Sequence, residues 1–253
     1  MRNLFNAVAL AAALVLAPAA MAAEKSAPGN SPGNSQGRSL TVVELFTSQG
    51  CSSCPPADAF LGELAKRDDI LALSVHVDYW DYIGWKDVFA SPRNTQRQRD
   101  YASKMRLRYV YTPQMVIQGA DHATGSDRSK VLAKIKKAAK TKRVPVAISR
   151  VGGKIRITVP GAHTTDRAAV WLAVYGSEME TKIKRGENAG RTLIYHNVVS
   201  DMIRIGTWSG QPMDIPTEID GMGAKGRDGC AVILQSLRSG RILGAARIDL
   251  AGS

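Results

Sequence analysis

Cys51-Ser52-Ser53-Cys54 is the stretch that most constrains this chain. An apolar, strand-like run, Leu40 to Phe46, leads into it, and a helix-like run, Pro56 to Lys66, follows. A strand that opens onto a helix through a Cys-x-x-Cys turn points to redox chemistry or a metal clip. The first turn of a helix carries unpaired N–H groups and a partial positive charge, and both stabilise a thiolate. Cysteines so placed are more acidic than a free thiol. Cys51 then reads as the nucleophile, and Cys54 as the thiol that attacks the mixed disulfide from inside.

The first residues read as an export signal. Arg2 is a positive start, Val8 to Leu16 is an apolar stretch too short to span a bilayer comfortably, and Ala20-Met21-Ala22 offers a small-x-small cleavage site. Residues 1–22 are therefore expected to be a signal peptide, and the protein periplasmic or secreted and not membrane-spanning. Residues 23–39 are rich in Gly, Pro, Ser and Asn and read as a disordered linker. Disulfides persist outside the cytoplasm, but three cysteines do not make a disulfide scaffold. A formal charge of +12 reads as a solvated basic surface, with acidic lipid or glycan as the sharper alternative. Without an aromatic-basic motif, an exported chain gives no nucleic-acid reading.

Glu44 interrupts an otherwise apolar strand. It is either a tip facing solvent or a buried proton acceptor. Ile70 to Val77 reads as a second strand, parallel to the first through a right-handed crossover. His76 and Asp78 alternate onto one face of it and read as a hydrogen-bonded structural pair rather than a metal site. The loop after it, Asp78 to Phe89, carries Trp80 and Trp85, which either line a substrate groove or pin the loop as a satellite core. Ser91-Pro92 starts a helix that runs to about Met105. Arg97 on it reads as solvated surface. Thr112-Pro113 interrupts the next strand, which makes sense where the strand begins after a cis X–Pro bond. A hairpin return to Thr124 follows, and Ser126 caps a last helix with Val131 and Ile135 inward.

This order resembles the thioredoxin-like fold. The residues that carry the likeness are Cys51 and Cys54 at the head of the first helix and Thr112-Pro113 before the third strand. The resemblance implies that Pro113 docks a substrate chain beside the nucleophile and that Thr112 offers a backbone edge. Glu44-Leu45-Phe46-Thr47-Ser48-Gln49-Gly50-Cys51, His76-Val77-Asp78-Tyr79-Trp80-Asp81 and Gly186-Glu187-Asn188-Ala189-Gly190-Arg191 are similar to a secreted bacterial family with a thioredoxin-like domain and no assigned function. Thioredoxin-type sites carry Trp before the first cysteine and Gly-Pro between the two, whereas Gly50 and Ser52-Ser53 stand here.

From residue 144 the pattern changes to short alternating runs, beginning with a hairpin around Gly152-Gly153. Further strands are expected at 168–175, 181–185, 192–205, 231–237 and 241–249, spaced as in a β-sandwich. The expected fold class is thus an α/β thioredoxin-like domain, 40–143, followed by an all-β sandwich-like domain, 144–253. Gly186 to Arg191 reads as a tight inter-strand loop, since it lacks the Lys-Ser/Thr of a phosphate loop. Cys230 reads as a small buried thiol, with partnership to a substrate or to the Cys51–Cys54 pair as the alternative.

The function expected is a thiol–disulfide oxidoreductase acting on protein thiols or disulfides of the cell envelope, with Cys51, Cys54, Pro113 and Glu44 as its working residues. Thr112, Trp80 and Trp85 are the expected substrate contacts. No cofactor and no resident metal is called for. Two alternatives stand beside it. One is a copper(I)-handling protein, in which the two thiolates and His76 or Met115 hold a soft ion. The other is a binding module whose disulfide is structural.

Overall fold

The computed structural model describes Met1 and residues 40–151, 154–218, 224 and 226–250. The expected signal peptide, the linker and the Gly152-Gly153 turn lie outside the described residues.

β1 (Thr41–Thr47) and β2 (Ile70–His76) are buried along their whole length, as continuous apolar runs in a two-sided sheet are. They pair in parallel, and α1 (Pro55–Ala65) makes the crossover between them. Proline at the first helical positions costs α1 nothing, because those N–H groups have no partner inside a helix. α2 (Pro92–Met105) starts at Ser91, whose side chain accepts the Asn94 N–H. β3 (Gln114–Ile117) runs antiparallel to β1, and β4 (Asp121–Thr124) returns beside β3. The Thr112–Pro113 bond is cis, as the sequence led us to expect. α3 (Arg128–Ala139) is capped by Asp127, one residue after the serine expected to cap it.

The strand-rich half supplies β5 (Ala147–Val151), β6 (Lys154–Val159), β7 (Ala168–Lys182), β8 (Thr192–Trp208), β9 (Met213–Thr217), β10 (Gly229–Ser236) and β11 (Ile242–Asp249). Four of these continue the first sheet. Its strand order is β11-β10-β7-β8-β2-β1-β3-β4, and β8 joins β2 in parallel through Ser74 and Val198. The position expected as a domain boundary, 143/144, is thus no break in the sheet, and the residues from 40 on group as one compact unit. A second sheet, β5-β6-β9, closes over one end of the first. Ile148, Ile155, Ile157, Val170, Leu172 and Val232 fill the space between the two sheets. Each such side chain contributes about 1.5–3 kcal/mol when fully buried.

The two faces of β1 have different neighbours. Val43 and Leu45 pack with Phe60, Leu61 and Leu64 of α1, together with α3. Val42 and Phe46 pack with Tyr101 of α2 and with β7, β10 and β11. Among the described residues no helix is long and apolar enough to cross a membrane.

Candidate functional site

Cys54 is the N-cap of α1, and Cys51 lies one turn before it. The two are joined in a disulfide. The Cys54 N–H donates to the Cys51 carbonyl at 3.2 Å, closing a tight turn over the helix start. Cys51 is 4% exposed and Cys54 is fully buried, so Cys51 presents the outer sulfur. Ser52 and Ser53 are exposed, and Ser53 Oγ lies 3.4 Å from Cys51 Sγ.

The residues expected to contact substrate gather around this turn. Thr112 Oγ1 donates to Cys51 Sγ at 3.2 Å. Trp80 Nε1 donates to that hydroxyl at 2.7 Å. Trp80 also stacks with Tyr82, which is largely exposed. Trp85 Nε1 donates to Gln49 Oε1 at 2.7 Å, two residues before Cys51. Both tryptophans are half-buried; Trp85 is bonded to the cysteine loop directly and Trp80 through Thr112, and Pro113 is buried.

Glu44 is not brought to the cysteines. Alternation puts it on the α2 face of β1, where Arg97 Nε donates to Glu44 Oε1 at 2.6 Å and Tyr101 OH donates to Glu44 Oε2. Arg97, read from sequence as solvated, is only 10% exposed in its side chain. Its guanidinium lies over Tyr101 and Trp171, and burial pushes the Tyr101 hydroxyl well above its ordinary pKa. The pattern could not give this, because Arg97 is an ordinary polar residue on a polar helix until β7 is known to lie beside it.

A different carboxyl lies behind Cys54. Asp58 is four residues further along α1, on the same helix face, and side chains of a helix lean toward its N-terminus. It is buried, and neither carboxylate oxygen has a hydrogen-bond partner among the described residues. Burial pushes its pKa up to about 7, against the opposing pull of His76. His76 Nε2, Ser74 Oγ and Tyr195 OH are also buried without partners, and burial likewise drives the Tyr195 hydroxyl up. A charged residue among Ala57, Phe60 and Leu61 was the sequence signal for Asp58.

His76 has a carboxylate partner, but it is Asp87 and not Asp78. His76 Nδ1 lies 2.7 Å from Asp87 Oδ2, and Asp78 binds the Thr95 hydroxyl instead. Beyond His76 the chain leaves β2 and turns, which ends the alternation that placed Asp78 with it. Asp87 Oδ2 also accepts the Gln49 N–H at 2.8 Å. Burial raises the Asp87 carboxyl, but His76 and the Gln49 and Phe89 N–H groups outweigh it and hold the group below its ordinary value. Among the described residues no cluster of three or more His, Cys, Asp and Glu is arranged to hold a metal ion. Cys230 is free and buried in β10, and burial pushes its thiol up to about 12.

A family model described as a protein of unknown function, DUF1223, matches residues 42–235. The chain belongs to this family. Among solved structures, the DUF1223 chain is similar to the crystal structure of AGR_C_4864 from Agrobacterium tumefaciens. The identity is 34%, the TM-score is 0.75, and the match covers 85% of this chain and 96% of that one. It also resembles HBP35 of Porphyromonas gingivalis, at 15% identity and a TM-score of 0.55, over 84% of this chain and 76% of that one. That second likeness concerns the fold alone. A comparison with curated proteins found no match.

Proposed function

We propose that the chain is an exported thiol–disulfide oxidoreductase that acts on cysteines of envelope proteins, with residues 40–143 forming a thioredoxin-like unit. One observation carries the reading. A Cys-x-x-Cys pair sits at the start of α1, and Thr112, the residue before Pro113, donates to the outer sulfur. The sheet order β2-β1-β3-β4, with β1 and β2 parallel and β3 reversed, supports the same reading.

In the reducing direction, the Cys51 thiolate attacks one sulfur of a substrate disulfide. The substrate S–S bond breaks, a Cys51–substrate S–S bond forms, and the departing substrate sulfur takes up a proton. Cys54 then gives its proton to the Asp58 carboxylate and attacks Cys51 Sγ. The mixed disulfide breaks, the second substrate sulfur leaves as a thiolate, and Cys51–Cys54 closes. The same bonds form and break in reverse when the chain oxidises a dithiol. A carboxyl with a pKa near 7 is matched to taking and returning a proton at neutral pH. Thr112 touches Cys51, Trp80 is bonded to Thr112 and Tyr82 stacks on Trp80, so these three side chains would meet the substrate chain.

The test is a trapping experiment with a peptide–glutathione mixed disulfide. Cys54→Ser should accumulate a peptide or glutathione adduct on Cys51, while Cys51→Ser should accumulate none. Equal adduct levels on the two variants would sink the assignment of Cys51 as the nucleophile.

A further inference from the structure

The loop between β7 and β8 folds onto the redox turn. Gly186 and Gly190 have φ of +77° and +81°, values that glycine adopts freely, and they let the chain reverse within a few residues. The loop is bonded to itself: Ala189 N–H to the Gly186 carbonyl at 3.1 Å, Gly190 N–H to the Ile183 carbonyl at 2.9 Å, and Arg191 N–H to the Asn188 carbonyl at 3.2 Å. From this scaffold Asn188 points inward and is 1% exposed. Its Nδ2 donates to the Gln49 carbonyl at 2.9 Å and to the Cys51 carbonyl at 3.0 Å. Its Oδ1 accepts from Arg191 at 3.0 Å, which fixes the orientation of the amide. A second tie runs from the same hairpin, because Gln49 Nε2 donates to Thr181 Oγ1 at 3.2 Å.

We infer that Asn188 is a positioning residue of the redox turn, holding the Cys51 backbone where its sulfur meets Cys54 and so favouring the closed disulfide over the dithiol. The inference rests on the redox reading of Cys51–Cys54. The Cys51 carbonyl accepts two donors, the Cys54 N–H from within the turn and Asn188 from outside it. The first bond belongs to the turn itself. The second comes from a residue 137 positions away and ties the turn to the strand-rich half. An intramolecular disulfide is favoured in proportion to the effective concentration of one sulfur at the other, and that concentration rises as the backbone between them is held in place. Without Asn188, two buried carbonyls lose a donor and Cys51 gains freedom that the dithiol can use and the disulfide cannot. The strand-rich half thereby sets the redox poise of a site to which it contributes no sulfur.

The experiment equilibrates the full chain with reduced and oxidised glutathione, where protein disulfide plus two glutathione thiols give protein dithiol plus glutathione disulfide. Asn188→Ala should lower the equilibrium constant for closing Cys51–Cys54 by about three- to tenfold. A tenfold change is a potential about 30 mV less negative. The oxidised form of the variant should also lose more thermal stability than the reduced form, which a merely structural role would not produce. Glu187→Ala, an exposed change in the same loop, should match the wild type. Should Asn188→Ala not fold, Arg191→Ala removes only the brace on the amide and should shift the constant in the same direction by a smaller factor. An unchanged constant in the folded variant, with both redox forms destabilised alike, overturns the inference. A wild type that equilibrates with glutathione but catalyses no exchange overturns the oxidoreductase reading instead, and the Asn188 comparison still decides the clamp.

Discussion

Thr112 Oγ1 donates to Cys51 Sγ at 3.2 Å, across 61 positions of sequence. Trp80 Nε1 occupies a lone pair of the same hydroxyl at 2.7 Å, which leaves the hydroxyl proton free to aim at sulfur. A donor held in that way favours the thiolate over the thiol. Thr112→Val should therefore slow alkylation of the reduced protein at neutral pH by about ten- to a hundredfold, the scale of one hydrogen bond to a charged group. Thr112→Ser should keep the wild-type rate. Equal rates for Val and Thr would show that the contact does not act on the thiolate.

Asp58 predicts a pH dependence of stability. Its pKa is about 7 in the folded chain, well above the unfolded value of about 3.9. Between those values the folded state binds more protons than the unfolded state, so stability falls as pH rises from about 4 toward 7. One fully titrating group gives a slope of about 1.4 kcal/mol per pH unit. Asp58→Asn should flatten that fall in the oxidised protein and gain relative stability at pH 7 and above. Parallel stability–pH curves for the two proteins would count against a raised Asp58. In the exchange reaction the same variant should slow the Cys54 step and leave the first attack by Cys51 unchanged.

Much of the half that carries the cysteines was legible because its signals are local. Pro55-Pro56 marked the head of α1, Ser91-Pro92 marked that of α2, and a proline inside a strand run marked the cis bond before β3. What the sequence did not disclose depends on pairing between distant strands. The runs 168–175 and 181–185 read as two strands, yet one long β7 takes in the whole of the first and the start of the second, and β9 was not anticipated. No local pattern says that β8 will add to β2 and join the two halves in one sheet. Glu44 and Asp58 illustrate the same limit. Both are lone carboxyls in apolar runs, and which one lies behind the cysteines depends on which face of β1 each helix covers.

On the α2 face, the Glu44–Arg97 pair should matter for stability and not for exchange. Arg97→Leu leaves a buried carboxylate without its cation, a loss of about 3–5 kcal/mol by analogy with other broken buried pairs. Replacing Glu44 and Arg97 together by Leu should recover most of that loss. Denaturant unfolding of the single and double variants measures it. Exchange activity per folded molecule should stay at the wild-type level in both.

α1 and β8 meet where Gly62 faces the ring of His196, and a Cβ at residue 62 would overlap that ring. Gly62→Ala should cost about 1–3 kcal/mol despite the better helix propensity of alanine. His196→Ala in the same chain should remove most of the cost. A stabilised single variant would mean that the ring moves aside freely.

The most direct test of the central claim is disulfide-exchange turnover by the full chain with a dithiol donor, compared with Cys51→Ser. The wild type should turn over catalytically and the variant should not. A wild type that shows no turnover, or a Cys51→Ser protein that remains fully active, would contradict it.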